Sequence, residues 1–170
     1  DVSWCHAVRD RLAASATNGD IAVISINSPS TNQVWSAGES SRAVNRVSWH
    51  ASEPHTMASA HQDGLVKLWD CRQKEAAALV KSYQPRADAG RDVQFDPFHE
   101  NILAATFESG NLVLWDRRMA DQSWLKISAH INSVQTLAWN PHKEWHLATG
   151  GRDMSIKVWD IRRASPSTST

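Results

Sequence analysis

Four residues towards the end of the chain have the side-chain types that acyl-transfer chemistry uses: His130, Thr149 and Asp153, with Trp159 close by. A hydroxyl, an imidazole and a carboxylate can form a relay of nucleophile, base and orienting group. That chemistry needs an exposed hydroxyl beside a pocket with an oxyanion site, and nothing in the sequence supplies one. The same residues have a structural use. A loop histidine, a strand hydroxyl, a turn carboxylate and an indole N–H can close one hydrogen-bonded chain that satisfies buried polar groups and ties strands together. The structural use is the stronger reading, so no residue is assigned as catalytic.

The elements that position these residues come from a repeat. Four segments align without gaps: LAASATNGDIAVIS from Leu12, MASAHQDGLVKLWD from Met57, LAATFESGNLVLWD from Leu103 and LATGGRDMSIKVWD from Leu147. Their starts lie 45, 46 and 44 residues apart. A second set lies upstream, each strand alternating apolar with polar residues and closing on Trp4, Trp49, Phe95 or Trp139. Pro54, Pro97 and Pro141 follow three of these and mark turns. A period near 45 residues ending in Trp-Asp is the mark of propeller blades of four antiparallel strands. The expected fold is therefore an all-β partial propeller over residues 1–163, with units at about 1–27, 33–72, 77–118 and 124–163 and a disordered tail at 164–170.

Each blade reads as strand a (the aromatic one), strand b, a tight turn, strand c (ending in Trp-Asp) and an outer strand d. The turns carry Asn18-Gly19, Asp63-Gly64, Ser109-Gly110 and Asp153-Met154, and Asn-Gly and Asp-Gly suit the positive φ of a two-residue hairpin. Outer strands are expected at Gln33–Ser36, Ala77–Ser82 and Trp124–Ile127. Only the fourth unit has all four members of the polar chain. The second keeps Ser59, Asp63 and Trp69 but has Ser40 at the loop-histidine position, the third keeps Trp115, and Ile24 stands at the tryptophan position of the first. Blades bury their apolar faces only against one another, so the chain is expected to need further blades, or a second chain, to cover its open faces.

The remaining candidates read as structural. His50, His55 and His61, and His142 with His146, are spaced as loose clusters that strand alternation does not converge, so they are expected at the surface, with no metal and no cofactor. Gly150-Gly151 reads as close packing near the propeller axis, not as a phosphate loop. Three units end in Trp-Asp-x-Arg: Asp70 with Arg72, Asp116 with Arg118, and Asp160 with Arg162. These read as turn-holding pairs facing water. They also resemble motifs by which some propellers dock onto the adaptor of cullin-type ubiquitin ligases. Propellers bind partners on the face carrying the b–c turns and the loops before strand a, which places Thr17, Arg42, Gln62, Asp88, Glu108, Asn132 and Arg152 on a candidate protein-binding top face.

Lys+Arg and Asp+Glu number 18 each, so no global field favours nucleic acid or an anionic membrane. The two cysteines, Cys5 and Cys71, form neither a disulfide framework nor a metal-ligand spacing and suit a reducing, cytosolic compartment. No stretch is apolar enough to insert in a membrane.

Three further strings are more particular. Arg91-Asp-Val-Gln-Phe95, Ala105-Thr-Phe-Glu-Ser-Gly-Asn111 with Leu114-Trp-Asp-Arg-Arg118, and Leu147-Ala-Thr-Gly-Gly-Arg-Asp153 with Lys157-Val-Trp-Asp160 resemble the propeller of the WD-repeat subunit of the GATOR/SEA complex that also bears a RING-like zinc module; Ala14-Ser-Ala-Thr-Asn-Gly19 is similar to an earlier repeat of that family. The resemblance implies a non-catalytic scaffold of a multi-subunit assembly that is recruited from the cytoplasm to the lysosomal or vacuolar surface, regulates autophagy and relays amino-acid sufficiency to the target-of-rapamycin kinase. This sequence has no cysteine-rich zinc motif, so no ligase activity carries over. The alternative is a substrate receptor of a cullin-type ligase using the Trp-Asp-x-Arg arginines. An enzyme would need a polar pocket with perturbed groups.

Overall fold

A computed structural model of the chain describes residues 1–27, 33–38, 42–73, 78–84, 88–119 and 123–164, with the backbone alone at 33, 34, 36 and 38. Ser40, Ala77 and residues 165–170, on which sequence expectations fell, lie outside the described residues.

The strands form four antiparallel sheets in chain order. The first holds β1 (Val2–Trp4), β2 (Arg11–Ser15), β3 (Asp20–Ser25) and β4 (Gln33–Gly38); the second holds β5 (Val44–Trp49), β6 (Thr56–His61), β7 (Val66–Asp70) and β8 (Leu79–Tyr83). The third holds β9 (Gly90–Phe95), β10 (Ile102–Phe107), β11 (Asn111–Asp116) and β12 (Leu125–Ser128), and the fourth has three strands among the described residues, β13 (Val134–Trp139), β14 (His146–Gly151) and β15 (Ile156–Asp160). The architecture is the all-β series of propeller blades that the repeat predicts.

The outer strands depart from their expected bounds. β8 starts at Leu79 and β12 at Leu125, while β4 continues to Gly38. Register shifts at Val23/Ile24 and at Leu68/Trp69 displace two of these pairings. At each shift one residue of the outer strand, Val34 or Val80, has no partner in the register, and the residue types alone do not mark where that falls. At the other end of the chain, Ala164 is not part of a tail: its N–H donates to Ile161 O at 3.3 Å, and it packs against the last core.

The cores lie between sheets, as strand alternation requires. Met57 and Trp69 face backward into a cluster with Ile21, Val23 and Trp35 of the first sheet. Val66 and Leu68 face forward into a cluster with Val93, Phe95 and Trp115 of the third. Leu112 and Leu114 repeat this against Val134, Leu137 and Trp139. Each Trp-Asp tryptophan is thus a wedge against the outer strand of the sheet before it. Trp69 meets Trp35 edge-on with centroids 5.9 Å apart, and Trp115 meets Tyr83 at 5.1 Å.

The turn residue closing each hairpin has positive φ: Gly19 (95°), Gly64 (87°), Gly110 (85°) and Met154 (62°). At Gly110 a side chain would also overlap the carbonyl of His130, because the turn lies against the loop leading into the next sheet. A left-handed L-residue costs about 1–2 kcal/mol that glycine avoids. Met154→Gly is therefore expected to raise the unfolding free energy by about 1 kcal/mol in urea titrations, and Gly110→Ala to lower it.

Candidate functional site

The fourth sheet brings His130, Thr149, Asp153 and Trp159 together. The Trp159 indole N–H donates to Thr149 Oγ1 at 2.9 Å, the Thr149 hydroxyl lies 2.8 Å from His130 Nε2, and His130 Nδ1 lies 2.9 and 3.0 Å from the two Asp153 oxygens. One proton order satisfies every member: Nδ1–H donates to the carboxylate and Nε2 accepts the hydroxyl proton. The Ser155 hydroxyl donates to Asp153 at 2.7 Å and, with His130, holds that carboxyl well below the usual carboxylate range. The hydroxyl is buried and receives the indole proton. A relay enclosed in this way has no face from which a substrate carbonyl could reach Thr149.

Gly151 makes room for this chain. A Cβ there would stand 2.4 Å from His130 Nδ1, so the glycine is explained by the histidine ring and not, as the sequence suggests, by packing near the axis.

The second sheet builds the chain differently. Trp69 Nε1 donates to Ser59 Oγ at 2.7 Å, and Ser59 Oγ lies 2.7 Å from Nε2 of His61, which occupies the strand position of Gly151. Asp63 Oδ1 accepts the Leu65 N–H at 3.0 Å and closes the turn. In the third sheet Ala105 replaces the hydroxyl and Phe107 fills the histidine's place, edge-on to Trp115 with centroids 6.3 Å apart. Sequence reasoning missed His61, although it follows Ser59 by two residues and so shares its face of β6.

His61 and His50 correct the expectation of surface histidines, since each is only 1% exposed. His50 accepts the N–H of Ser52 (3.3 Å) and Glu53 (3.0 Å) on Nδ1 and donates from Nε2 to Glu100 O at 2.8 Å. Asp96 and Asn140 cap the same loop in the next two sheets, each accepting two N–H groups. His142 is exposed, while His55 and His146 are half-buried. Among the described residues no group of three His, Cys, Asp or Glu could hold a metal.

A second polar line, also unread in the sequence, joins the inner strands. Asp92, 1% exposed, accepts from Leu137 N–H (2.9 Å), Thr136 Oγ1 (3.0 Å) and Val93 N–H (2.8 Å) and pairs with Arg46 Nε at 3.1 Å. Burial pushes its carboxyl above the usual range despite these partners. Asp1 treats Val47 N–H (3.0 Å) and Arg46 (3.4 Å) in the same way. The signal was a carboxylate at matched positions of two a strands.

Asp70 with Arg72, Asp116 with Arg118, and Asp160 with Arg162 are closed pairs, with Nη2···O distances of 2.6, 2.6 and 3.1 Å. Each carboxylate also accepts its arginine's own backbone N–H. The arginine bond holds each carboxyl below its usual range. Of the candidate top-face residues, Thr17, Arg42, Gln62, Glu108, Asn132 and Arg152 are exposed and Asp88 is half-buried. The backbone brings turns and loops into one rim: Gln62, Glu108 and Arg152 N–H donate to Ala43, Ala89 and Ser133 O at 2.9, 2.9 and 2.8 Å.

Burial first, and then Lys67, pushes the His61 imidazole down to about 4 from 6.5. The unfolded chain therefore binds a proton on His61 between those values while the folded chain does not, so stability is lost as pH falls from about 6.5 towards 4. Urea midpoints measured over that range are expected to fall less steeply for His61→Gln than for the parent.

Residues 2–90 match the family described as "Anaphase-promoting complex subunit 4 WD40 domain", and residues 122–160 match "WD domain, G-beta repeat". Human GATOR2 complex protein WDR24 is 38% identical over 162 residues, and the Drosophila melanogaster protein of that name is 36% identical over the same length; in each case 95% of this chain and 20% of the relative are covered. The chain thus spans about one fifth of the length of these curated relatives. A chain in a solved structure titled "Crystal Structure of Mitotic Checkpoint Complex" superposes with a TM-score of 0.83 at 21% identity, covering 96% of this chain and 48% of that one, which speaks to fold alone. The chain belongs to the WD40-repeat family.

Proposed function

We propose that this chain forms part of the propeller of a GATOR2-type complex subunit, a non-catalytic scaffold working in the cytoplasm and at the lysosomal or vacuolar surface to regulate target-of-rapamycin signalling and autophagy. The observation that carries the reading is 38% identity extending over 95% of the chain, through all four sheets. Shared propeller geometry alone accompanies 21% in the structural neighbour. The polar chain of the fourth sheet supports a non-catalytic role, since its hydroxyl is enclosed and serves to tie strands. The Trp-Asp-x-Arg arginines spend Nε and Nη2 on their own aspartates, which favours turn-holding over adaptor docking.

Further blades, or a second chain, complete the core. Ile156 and Val158 of β15 are 82% and 73% exposed, whereas their counterparts Val66, Leu68, Leu112 and Leu114 are buried by the following sheet. Affinity purification of the tagged intact protein with mass spectrometry is expected to recover GATOR2 subunits in near-stoichiometric amounts. Disruption of its gene should blunt the target-of-rapamycin response to amino acids. Recovery of a cullin adaptor in their place, lost with Arg72→Ala and Arg118→Ala, would overturn the reading.

A further inference from the structure

Each sheet sends polar side chains forward to the sheet that follows it. Along the inner strands Asp1, Arg46, Asp92 and Thr136 share one level, and Gln94 and Ala138 share another two residues on. The first three of that level are charged and act across a junction. Asp1 accepts Val47 N–H at 3.0 Å, Arg46 pairs with Asp92 at 3.1 Å, and Asp92 accepts Leu137 N–H at 2.9 Å. Side-chain amides add a second set of pins, Asn45 Nδ2 donating to Gly90 O and Gln94 Nε2 to Leu137 O, both at 2.7 Å. A third link joins the hairpin turns to the loops entering the next sheet. Ala129 and His130 N–H donate to Gly110 O at 2.9 and 3.0 Å. The approach is so close that a Cβ at Gly64 would stand 2.6 Å from Asp88 O, and one at Gly110 would lie closer still to His130 O.

The fourth sheet is altered at every one of these places on its forward side. Thr136 carries no charge and donates its hydroxyl proton to Asp92 at 3.0 Å. Ala138 is too short to reach as Gln94 does, and Gln135, in the place of Asn45, donates to Ser133 at 2.6 Å, just before its own strand. Met154 stands where Gly64 and Gly110 stand, at a φ of 62°. Its Cβ bars the loop of a following sheet from the close path taken at the two preceding turns. What remains on that side is apolar: Ile156 and Val158, 82% and 73% exposed, at the positions of Leu112 and Leu114.

We infer that the far side of the fourth sheet is the seam of the propeller: a further sheet of the same repeat covers it by apolar contact, with no polar pin from the fourth sheet, and the closed structure opens there first. The occupant follows from continuity, since the matching residues of β7 and β11 are covered by just such a sheet at both preceding junctions. The opening follows from direction. Apolar contact tolerates sliding, whereas buried polar pins fix register, and local opening is drawn from the parts held least. The inference rests on the reading that further blades cover β15, and not on membership of a GATOR2-type complex.

The test is thiol labelling of the intact protein carrying Ile156→Cys or, at the matched position one sheet earlier, Leu112→Cys, with uptake of N-ethylmaleimide at that residue followed by mass spectrometry. Val158→Cys against Leu114→Cys forms a second matched pair in case either of the first does not fold. The fourth-sheet thiol is expected to label at least about tenfold faster than its third-sheet partner, and at least about tenfold more slowly than in denaturing urea. Met154→Gly frees the path of the loop, and Ala138→Gln restores an amide that can reach forward. Each should slow labelling of the fourth-sheet thiol about fivefold or more and leave the third-sheet thiol unchanged. Labelling as slow as in the third sheet, or indifferent to both variants, would overturn the seam while leaving the covering blade in place. Labelling as fast as in urea would mean that no sheet covers the face, and a rate that falls as protein concentration rises would assign the face to a second copy. Either result would overturn the inference together with its premise of a further blade.

Discussion

Everything in this molecule depends on a constraint of alternation: a strand has two faces, and in a stack of sheets both must be buried. Val66 and Leu68 look forward and Trp69 looks back along a single strand, so no sheet owns a core. Each core is half one sheet and half the next. The hydrophobic term, at about 25 cal/mol per Å² of apolar surface, is therefore available only to neighbours, and the polar groups of the strands have to be satisfied within that narrow gap. The tryptophan of Trp-Asp meets both demands at once. Its ring wedges against the preceding outer strand, and its N–H supplies a donor for a buried hydroxyl in the second and fourth sheets.

Polar groups within the stack follow from the same constraint. A buried hydroxyl facing an indole still has a proton to place, and an imidazole nitrogen takes it. The two sheets obtain that imidazole from different places, a loop in one and the strand itself in the other, with Gly151 or His61 at the shared position according to which route is used. The third sheet removes the hydroxyl and fills the space with Phe107. These are three solutions to one problem of volume and hydrogen bonding. Among the described residues the second leaves His61 Nδ1 buried and without a partner, whereas the loop histidine of the fourth sheet has Asp153.

The repeat was legible because it is written in residue types with strong preferences. Trp-Asp, which ends three of the four units, and the apolar alternation answer burial conditions, and the turn pairs, three of them ending in glycine, answer the positive φ that recurs in each hairpin. Legibility failed where several residue types serve equally well. His50, Asp96 and Asn140 all cap the same loop, so histidines that seemed to scatter over the surface include one that is a buried acceptor for two N–H groups. It also failed where a bond crosses between sheets. Asp92 finds Leu137 N–H 45 residues away, and only superposing the inner strands of successive units would have suggested it. The outer strands slipped for a third reason, since bulges alter register without altering composition.

The polar line along the inner strands makes the sheets interdependent in a way that apolar packing alone would not. Apolar contacts tolerate small slides, because dispersion and the hydrophobic effect have little direction. A buried carboxylate that accepts three N–H or O–H groups and an arginine does not tolerate them, because displacement would leave a charge unpaired in a low-dielectric gap. Asp92 therefore sets the register of the fourth sheet's inner strand against the third, and Asp1 sets that of the second against the first. With inner strands held in this way, differences between junctions are forced outward to the loops, where Trp145 packs against His99 and Trp124 in one junction while Asn101 and Glu53, paired with Arg117, hold the corresponding places in the one before. A rigid polar inner wall with variable loop ends is the arrangement that lets a repeated fold present distinct surfaces at successive blades.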